Sequence, residues 1–334
     1  MTVKIGINGL GRIGRMVIRS LIENKNKNIE IKHINNRTEL ENICQLLKYD
    51  SIHGKFNTKI SFDNKNIIIN NKKVSYSRET EISKINWKKK DVDIVLECTG
   101  KNNSKEKSFQ HVKNGARKVI VSAPCKNADK TIVYGVNQKL INNKDLIISA
   151  ASCTTNCLAP IAMILNDEFK IEKGFMTTIH SYTTDQRLLD NSHKDPRRGR
   201  SAAQSIVPTS TGASKALAEI IPELKGKIEG IAMRVPTPNV SLIDLVFNSK
   251  KELSINKINN SFKKASKKNL KNILNTTEEK LVSIDFNHNP NSAIVDLSLT
   301  SVVDQNMGKV SAWYDNEWGF ASRMCDLAEY IHKI

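Results

Sequence analysis

The chain has 334 residues, of which 39% are hydrophobic and 26% charged, and 52 Lys and Arg against 34 Asp and Glu give a formal net charge of +18. This length predicts two domains of about 150 residues rather than one small domain, and the hydrophobic content excludes a disordered chain. No segment approaches the roughly 18 apolar residues that cross a bilayer, and the first residues lack a secretory signal pattern, so we expect a cytoplasmic protein.

The first half of the sequence alternates between short apolar strands and helical segments. Residues 3–8 are predicted to form a strand, and the glycine-rich residues 9–14 open a helix that ends near Asn24. A second strand is predicted at 29–35. Further strands are predicted at 67–70, 92–100, 118–124 and 146–152, with a helix at 104–115. This alternation is typical of an α/β domain with a Rossmann-type, doubly wound parallel sheet.

The pattern changes after residue 152. A helix is predicted to begin near Ser152, because apolar residues recur on one helical face from Cys157 to Phe169. Alternating strands are predicted at 175–183, 228–236, 240–248, 293–300 and 309–315. They favour an α+β domain with a mixed, largely antiparallel sheet. Residues 184–205 are expected to form an extended surface loop, and residues 317–334 a closing helix.

Gly9, Gly11 and Gly14 form the pattern GxGxxG between the first strand and the first helix. In this context the first glycine allows a tight turn, the second lets the backbone approach a pyrophosphate, and the third lets the helix pack closely on the strand. The helix N-terminus then offers N–H groups to the phosphates. We therefore expect a dinucleotide-binding domain over 1–151, completed by the helix 317–334, and a catalytic domain over 152–316.

The end of the second predicted strand bears on the choice between NADP and NAD. A carboxylate usually binds the adenosine ribose there, but this chain has Asn36 and Arg37. A carboxylate would repel a ribose 2′-phosphate, whereas Asn36 would not, and Arg37 can pair with it. The residues therefore favour NADP. The alternative is that Asn36 binds a plain ribose hydroxyl of NAD and Arg37 points to solvent.

Cys153 lies where a predicted strand turns into a helix, and Ser152 is suited to cap that helix. The helix dipole would favour the thiolate of Cys153, which is the form that attacks a carbonyl carbon. From spacing alone, a catalytic and a structural role are equally open. His180 ends a strand beside a polar loop and is the candidate base. No CxxC pair occurs, so neither a disulfide framework nor a zinc site is expected.

The positive charge attracts anions without choosing among them. Much of it lies in lysine-rich segments such as 261–272, whose simplest interpretation is a solvated surface with only non-specific affinity for nucleic acid. A nucleic-acid-binding protein that lacks catalysis is the alternative from another functional class. Gel shifts at rising salt distinguish the two, because non-specific binding is lost at physiological salt.

Several long segments resemble phosphorylating glyceraldehyde-3-phosphate dehydrogenases, and the resemblance runs from Ile5 to the C-terminal helix. They include INGLGRIGR (7–15), ECTGK (97–101), SAASCTTNCLAP (149–160), HSYTTDQ (180–186), HKDPRRGRSAAQSIVPTSTGASKA (193–216), RVPTPNVSLIDL (234–245) and WYDNEWGF (313–320). The segment SCTTNC is specific to this family and its near relatives. Erythrose-4-phosphate dehydrogenase shares that segment, but Thr211 and Gly212 favour the glyceraldehyde enzyme.

The resemblance implies oxidation of D-glyceraldehyde 3-phosphate, with NAD(P) and inorganic phosphate, to 1,3-bisphosphoglycerate. Cys153 would form a thiohemiacetal and then a thioester, with His180 as the base. Thr183 and Arg234 would bind the phosphate of the substrate. The implied site for inorganic phosphate comprises Ser152, Thr154, Arg198, Thr211 and Gly212. The resemblance also implies a homotetramer that binds neither a membrane nor a metal.

Cofactor contacts are implied in both halves of the chain. Besides the glycines, they are Arg12, Ile13, Asn36, Arg37, Arg78, Thr99, Gly100, Ser122, Asn191, Ser192 and Asn316. Asn316 would hold the nicotinamide carboxamide. Asn191 and Ser192 replace the Leu-Pro of strictly NAD-dependent members, which again favours NADP. Two further departures are Phe320 in place of a common Tyr and Gly199 in place of Ala.

Overall fold

The computed structural model describes residues 2–334 and divides into two units. The first unit comprises residues 2–134, Gln138–Ala151 and Ala321–Ile334. The second unit comprises Gly135–Asn137 and Ser152–Phe320. No helix among residues 2–334 combines the length and the apolar character that a membrane span requires.

The first unit is built on a nine-stranded sheet. Its strands and those of a small ribbon are β1 (Val3–Asn8), β2 (Ile29–Asn35), β3 (Tyr49–Asp50), β4 (Gly54–Lys55), β5 (Ile60–Phe62), β6 (Asn66–Ile69), β7 (Lys72–Ser77), β8 (Ile94–Glu97), β9 (Lys118–Val121), β10 (Lys130–Thr131) and β11 (Ile147–Ser149). The large sheet has the order β10-β11-β9-β8-β1-β2-β7-β6-β5, and β3 pairs with β4. Neighbours from β10 to β7 are parallel, whereas β5 and β6 are antiparallel. The predicted parallel sheet is therefore confirmed.

Three helices accompany this sheet: α1 (Arg12–Glu23), α2 (Leu40–Lys48) and α3 (Lys105–Lys113). α1 buries an apolar face that includes Met16 and Val17, as its sequence pattern predicts. α2 was not predicted. Strand 92–100 is shorter than predicted and ends at Glu97, because Thr99 turns back to bond the Glu97 carboxylate and Gly100 has a φ of 69°.

The second unit contains a seven-stranded sheet with helices. Its elements are α4 (Cys153–Phe169), β12 (Ile171–Ser181), β13 (Val207–Ser210), α5 (Ala213–Ile220), β14 (Ile228–Val235), β15 (Ser241–Ser249), α6 (Ile255–Lys267), β16 (Leu274–Thr277), β17 (Ala293–Val303) and β18 (Met307–Tyr314). The chain closes with α7 (Trp318–His332). The strand order is β13-β14-β12-β15-β18-β17-β16. Only β12–β14 and β16–β17 are parallel, which confirms the predicted mixed, largely antiparallel sheet.

The lysine-rich helix α6 is amphipathic rather than charged all round. It buries Ile258, Phe262 and Ala265, while Lys264 and Lys267 are exposed. One face is therefore free of lysine, and the charge lies on the faces that contact water.

Candidate active site

The start of helix α4 presents a cysteine at the end of a tight turn. Ala151 has a φ of 58°, and Ser152 caps the helix, because its Oγ accepts the N–H of Thr155 at 3.1 Å. Cys153 is the first residue of α4 and is partly exposed, whereas Cys157, one turn later, is buried. The cap fixes the backbone that carries the sulfur of Cys153.

The side chain of His180 approaches that sulfur from the end of strand β12. Its Nε2 lies 3.4 Å from Sγ of Cys153, and the residue is only 3% exposed. Its Nδ1 lies 2.7 Å from the carbonyl oxygen of Ser181, which can only accept a hydrogen bond. With its proton on Nδ1, the ring turns the lone pair of Nε2 toward the thiol, 3.4 Å away. A thiol with a base in reach is the arrangement that nucleophilic catalysis needs.

Arg234 lies beside the opposite edge of the His180 ring. Strand β14 pairs in parallel with β12, and the register places Arg234 opposite His180. Nη1 of Arg234 is 2.6 Å from Nδ1 of His180 and donates to the same Ser181 carbonyl at 3.1 Å. Burial, reinforced by the Arg234 charge, lowers the pKa of His180 to about 3. The imidazole is therefore neutral at physiological pH and is able to accept a proton.

The Cys153 thiol differs from the expectation based on its place at the helix N-terminus. Burial raises the pKa of Cys153 above its ordinary value, although Arg234 and the N–H of Thr154 act in the opposite direction. The expectation of a depressed pKa is therefore wrong, because desolvation of the thiolate outweighs the helix terminus and the cation. The proton leaves Sγ only when a partner such as Nε2 of His180 takes it.

Two residues of the implied phosphate site serve the local structure instead. Thr154 is buried, and its Oγ1 lies 3.0 Å from the hydroxyl of Tyr314, which in turn lies 2.8 Å from Oγ1 of Thr178. Oγ of Ser152 contacts Thr155 at the helix cap. The backbone N–H groups of this turn are further candidates for binding an anion.

Arg198 occupies the polar loop after β12 and is held by acidic side chains. It forms ion pairs with Asp185 and, at 3.4 Å, with Asp195. Its Nη2 lies 3.5 Å from the carbonyl oxygen of Ser210, so the guanidinium is next to the start of the Thr211–Gly212 turn. Oγ1 of Thr211 accepts the N–H of Ala213 at 3.2 Å, at the beginning of α5. Arg198, Thr211 and Gly212 are therefore neighbours, as the implied site requires.

Thr183 lies at the turn that follows β12. The residue is half-buried, and its carbonyl oxygen accepts the N–H of Gln186 at 2.9 Å. Its hydroxyl has no contact in the described part of the chain that would bring it to Cys153.

A cleft of about 640 Å³ opens in the first unit at the carboxyl ends of its central strands. The predicted cofactor residues that line it are Gly9, Gly11, Asn36, Arg37 and Thr99. A side chain at Gly14 would lie 2.1 Å from the Gly9 oxygen, whereas a side chain at Gly11 would meet nothing within 4 Å. Gly14 therefore permits close packing, and Gly11 leaves open space before a helix end that no side chain caps. These features fit a dinucleotide pyrophosphate.

Asn36 lines this cleft, and its amide has a hydrogen-bond donor without a protein partner. Its Oδ1 accepts the N–H of Leu10 at 3.1 Å, whereas its Nδ2 is buried without a hydrogen-bond partner. The amide oxygen thus already has a protein partner, whereas the amide nitrogen has none. Arg37 is exposed on the same wall, and Glu79 and Glu81 also line the cleft.

The other predicted cofactor residues lie off the cleft wall. Arg12 and Ile13 belong to the first turn of α1, and Arg12 is paired with Asp50. Burial favours the protonated form of Asp50, but hydrogen bonds from Arg12 and from backbone N–H groups hold the pKa of Asp50 far below its usual range. Arg78 is ion-paired with Glu39, and Gly100 and Ser122 follow β8 and β9. Asn191 and Ser192 lie on the exposed loop of the second unit. Asn316 is buried and precedes α7.

Comparisons with known proteins give matches in both halves of the chain. Two family models match, described as "Glyceraldehyde 3-phosphate dehydrogenase, NAD binding domain" over residues 3–105 and "Glyceraldehyde 3-phosphate dehydrogenase, C-terminal domain" over 152–316. The glyceraldehyde-3-phosphate dehydrogenase of Priestia megaterium is 51% identical over 332 residues, which are 99% of this chain and 98% of that protein. The glyceraldehyde-3-phosphate dehydrogenase of Geobacillus stearothermophilus is 50% identical, and the match covers 99% of this chain and 98% of that protein.

The chain belongs to the glyceraldehyde-3-phosphate dehydrogenase family. A further relative is glyceraldehyde-3-phosphate dehydrogenase 1 of Bacillus subtilis. It is 49% identical, and the match covers 100% of this chain and 99% of the relative's length. The predicted family and the predicted class of enzyme, an oxidoreductase with an NAD-binding domain, are confirmed. Among residues 2–334, no group of three or more His, Cys, Asp or Glu side chains is placed to hold a metal ion.

Three residues that contact candidate site residues were not predicted from the sequence. Asp185 and Tyr314 touch Arg198 and Thr154, and Ser241 contacts Asn316. Asp185 and Tyr314 stand inside the quoted segments HSYTTDQ and WYDNEWGF, so the resemblance contained them. The spacing of the sequence gave no sign of which residues they contact.

Proposed function

We propose that the chain oxidises D-glyceraldehyde 3-phosphate with NAD(P) and inorganic phosphate to 1,3-bisphosphoglycerate, in a reversible reaction. The observation that carries the proposal is the 3.4 Å contact between Sγ of Cys153 and Nε2 of His180. In this proposal the residues of the first unit bind the dinucleotide, and those of the second unit bind and convert the aldehyde.

The proposed chemistry begins with the neutral imidazole. Nε2 of His180 takes the thiol proton while Sγ of Cys153 forms a bond to the aldehyde carbon, and the protonated ring stabilises the resulting oxygen. When bound, the cofactor supplies a hydride acceptor at C4 of its nicotinamide. Loss of hydride converts the thiohemiacetal on Cys153 to a thioester. Attack by inorganic phosphate then breaks the C–S bond, and the acyl phosphate leaves the sulfur free.

Two anion sites are proposed around this pair. Arg234, with Thr183, is assigned to the phosphate of the substrate, since a guanidinium offers paired donors to phosphate oxygens. Arg198, Thr211 and Gly212 are assigned to inorganic phosphate, supported by their proximity at the start of α5. Ser152 and Thr154 contribute through backbone N–H groups, because their hydroxyls are engaged elsewhere.

The choice of cofactor is proposed to lean toward NADP. The free Nδ2 of Asn36 donates, and a 2′-phosphate is a strong acceptor, while Arg37 adds positive charge. The carboxylates of Glu79 and Glu81 on the same cleft oppose a second negative charge, so NAD is expected to bind as well. Arg78 and the pair Asn191–Ser192 are kept as further contacts to the adenosine end.

Large apolar side chains that are exposed on a single copy of the chain support an assembly of several copies. Phe175, Leu188, Leu189 and Ile206 of the second unit are all exposed. We propose that other copies of the chain cover them in a homotetramer. Light scattering during gel filtration tests this, and a monomeric mass at micromolar concentration would contradict it.

Steady-state assays test the proposed activity. Purified protein is supplied with glyceraldehyde 3-phosphate or erythrose 4-phosphate, with and without phosphate, and with NAD and NADP side by side. Reduction that requires phosphate and prefers the triose is expected. A preference for the tetrose without phosphate consumption would instead indicate an erythrose-4-phosphate dehydrogenase, and no reduction with either aldehyde would refute the proposal.

A further inference from the structure

The hydroxyl of Ser241 connects the strand of the catalytic histidine to Asn316. Ser241 begins β15 and is 0% exposed. Its Oγ accepts the N–H of Ser181 at 3.1 Å and donates to Oδ1 of Asn316 at 2.8 Å. Ser181 directly follows His180 in β12. One buried hydroxyl therefore touches both the base-bearing strand and the amide assigned to the nicotinamide.

The direction of these two hydrogen bonds follows from what each group offers. A serine hydroxyl carries one hydrogen and two acceptor sites. The Ser181 N–H can only donate, so it uses an acceptor site of Ser241. The hydroxyl hydrogen then needs an acceptor, and among residues 2–334 its partner is Oδ1 of Asn316. The opposite orientation of the amide would leave a buried O–H group without an acceptor.

The backbone around Asn316 is held independently. Asp315, which is 1% exposed, accepts the N–H groups of Glu317 at 2.9 Å and Trp318 at 2.8 Å through Oδ1. Its Oδ2 accepts the N–H of His288 at 2.7 Å. With the main chain on both sides of Asn316 fixed, rotation of the amide is the freedom that remains, and Ser241 restricts it.

This orientation of the Asn316 amide leaves its N–H groups for a ligand. Oδ1 is occupied by Ser241, and within residues 2–334 Nδ2 makes no hydrogen bond to a protein group. The bond to Ser241 therefore turns Oδ1 toward β15 and leaves both N–H donors of the amide for a ligand. An N–H donor suits the oxygen of a carboxamide, which is the group that nicotinamide carries at ring position 3.

We propose that Ser241 is a positioning residue that orients the Asn316 amide so that Nδ2 donates to the nicotinamide carboxamide oxygen. This rests on the proposed function, in which Asn316 binds that carboxamide. Without the Ser241 hydroxyl, the amide turns freely and offers either its oxygen or its nitrogen. The carboxamide then loses its fixed partner, and the nicotinamide ring is no longer held with one face toward the aldehyde.

The test compares ligands with and without a nicotinamide. Calorimetry measures the Kd of wild-type protein and the variant Ser241→Ala for NAD, NADP and ADP-ribose, which lacks the ring. We expect Ser241→Ala to weaken NAD and NADP about tenfold, as the loss of one oriented hydrogen bond does, and to leave ADP-ribose within about twofold. Equal weakening of all three ligands, or unchanged binding of NAD, would overturn the proposal.

Matched variants separate positioning from general support of the strand. Ser249→Ala removes another buried hydroxyl, at the far end of β15, whose partner is the Lys251 carbonyl, and it should leave all three Kd values unchanged. Ser241→Ala added to Asn316→Ala should cause no further loss, since the effect passes through Asn316. A further loss in the double variant would contradict that route. If Ser241→Ala fails to fold, Ser241→Cys keeps the shape with a weak donor and should show the same ligand pattern in smaller degree.

The stereochemistry of hydride transfer gives a readout that stability alone does not move. With aldehyde deuterated at C1, the wild type should place deuterium on one face of the reduced nicotinamide, and Ser241→Ala should place part of it on the other. Deuterium on a single face in the variant would count against the proposal. If wild-type protein binds neither NAD nor NADP, the proposed function itself fails, and that result is separate from any difference between variants.

Discussion

The guanidinium of Arg234 lies 2.6 Å from Nδ1 of His180, on the ring edge opposite the sulfur of Cys153. Burial keeps the imidazole neutral, and this contact reinforces the effect, since a protonated ring would place two cations side by side. The same cation lowers the pKa of Cys153 against the stronger effect of burial. Arg234 therefore influences both members of the pair before any substrate arrives.

Replacement of Arg234 is expected to make the Cys153 thiol less reactive in the unliganded protein. In Arg234→Gln the pKa of Cys153 should rise further, because an attractive charge is lost, so alkylation by iodoacetamide at pH 8 should slow several-fold. The rate is followed by mass spectrometry of the Cys153 peptide over a range of pH. Arg197→Gln, in the exposed loop, is the control, and equal rates in wild type and Arg234→Gln would contradict the assigned effect.

Removal of the sulfur should abolish turnover without loss of the cofactor site. Cys153→Ser is expected to lower kcat by at least about a thousandfold, because a hydroxyl is a far weaker nucleophile than a thiolate. The Kd for NAD should change little. Cys125→Ser, in the first unit and half-exposed, should keep normal activity. Normal turnover of Cys153→Ser would remove this residue from the role of nucleophile.

The donor at position 36 should govern discrimination between the two cofactors. Asn36→Asp replaces the free N–H group with a carboxylate that repels a 2′-phosphate, so the ratio of kcat/KM for NADP over NAD should fall at least about tenfold. Asn64→Asp adds the same charge at an exposed turn and serves as the control. If the ratio stays the same in Asn36→Asp, discrimination resides in other residues, such as Asn191 and Ser192.

Asp185 should weaken binding of inorganic phosphate, because it pairs with Arg198 before phosphate arrives. In Asp185→Asn one of the two ion pairs of Arg198 is lost while that with Asp195 stays, and the KM for phosphate should fall about two- to fivefold, the range expected for a half-exposed ion pair. Asp190→Asn breaks the neighbouring pair with Arg200 and should leave that KM unchanged. A higher KM for phosphate in Asp185→Asn would show that the carboxylate instead orients Arg198 for binding.

His33 should make the folded state sensitive to acid. Burial, with a contribution from Lys90, lowers the pKa of His33 to about 4, while an unfolded histidine titrates near 6.5. The unfolded chain therefore binds more protons between these values, and stability that is present above pH 6.5 is lost as the pH falls toward 4, by up to about 3 kcal/mol. Thermal melting of wild type and His33→Gln from pH 8 to pH 4 measures this. Parallel pH slopes for the two proteins would show that other groups cause the acid sensitivity.

Local patterns in the sequence predict much of the fold. Gly9, Gly11 and Gly14 lie within a stretch of six residues, so the turn between β1 and α1 follows from neighbours in the chain. The strands Val3–Asn8 and Ile29–Asn35 have the predicted bounds because their apolar runs end at turn residues. Helix α2, with only three buried side chains, has a pattern too short to distinguish from a loop.

The contacts of the site depend on the fold and not on spacing. Cys153 and His180 are 27 residues apart, and only the packing of α4 against β12 shows that their side chains meet. The pKa of Cys153 is raised by burial, which no local sequence pattern reveals. The position at a helix N-terminus therefore predicted a shift of this pKa in the wrong direction. Thr154 likewise turns inward because Tyr314, 160 residues later, lies within hydrogen-bond distance.

The register of the catalytic sheet bears on the length of the substrate. His180 and Arg234 face each other across a single rung of β12 and β14, and adjacent strands lie about 4.8 Å apart. The hydrogen-bond ladder thus fixes the distance between the two backbones, and from these positions the side chains meet, with Nη1 of Arg234 2.6 Å from Nδ1 of His180. If His180 is the base and Arg234 binds the substrate phosphate, as proposed, their contact favours a short substrate, and we expect a sugar with one more carbon to bend in order to reach both groups.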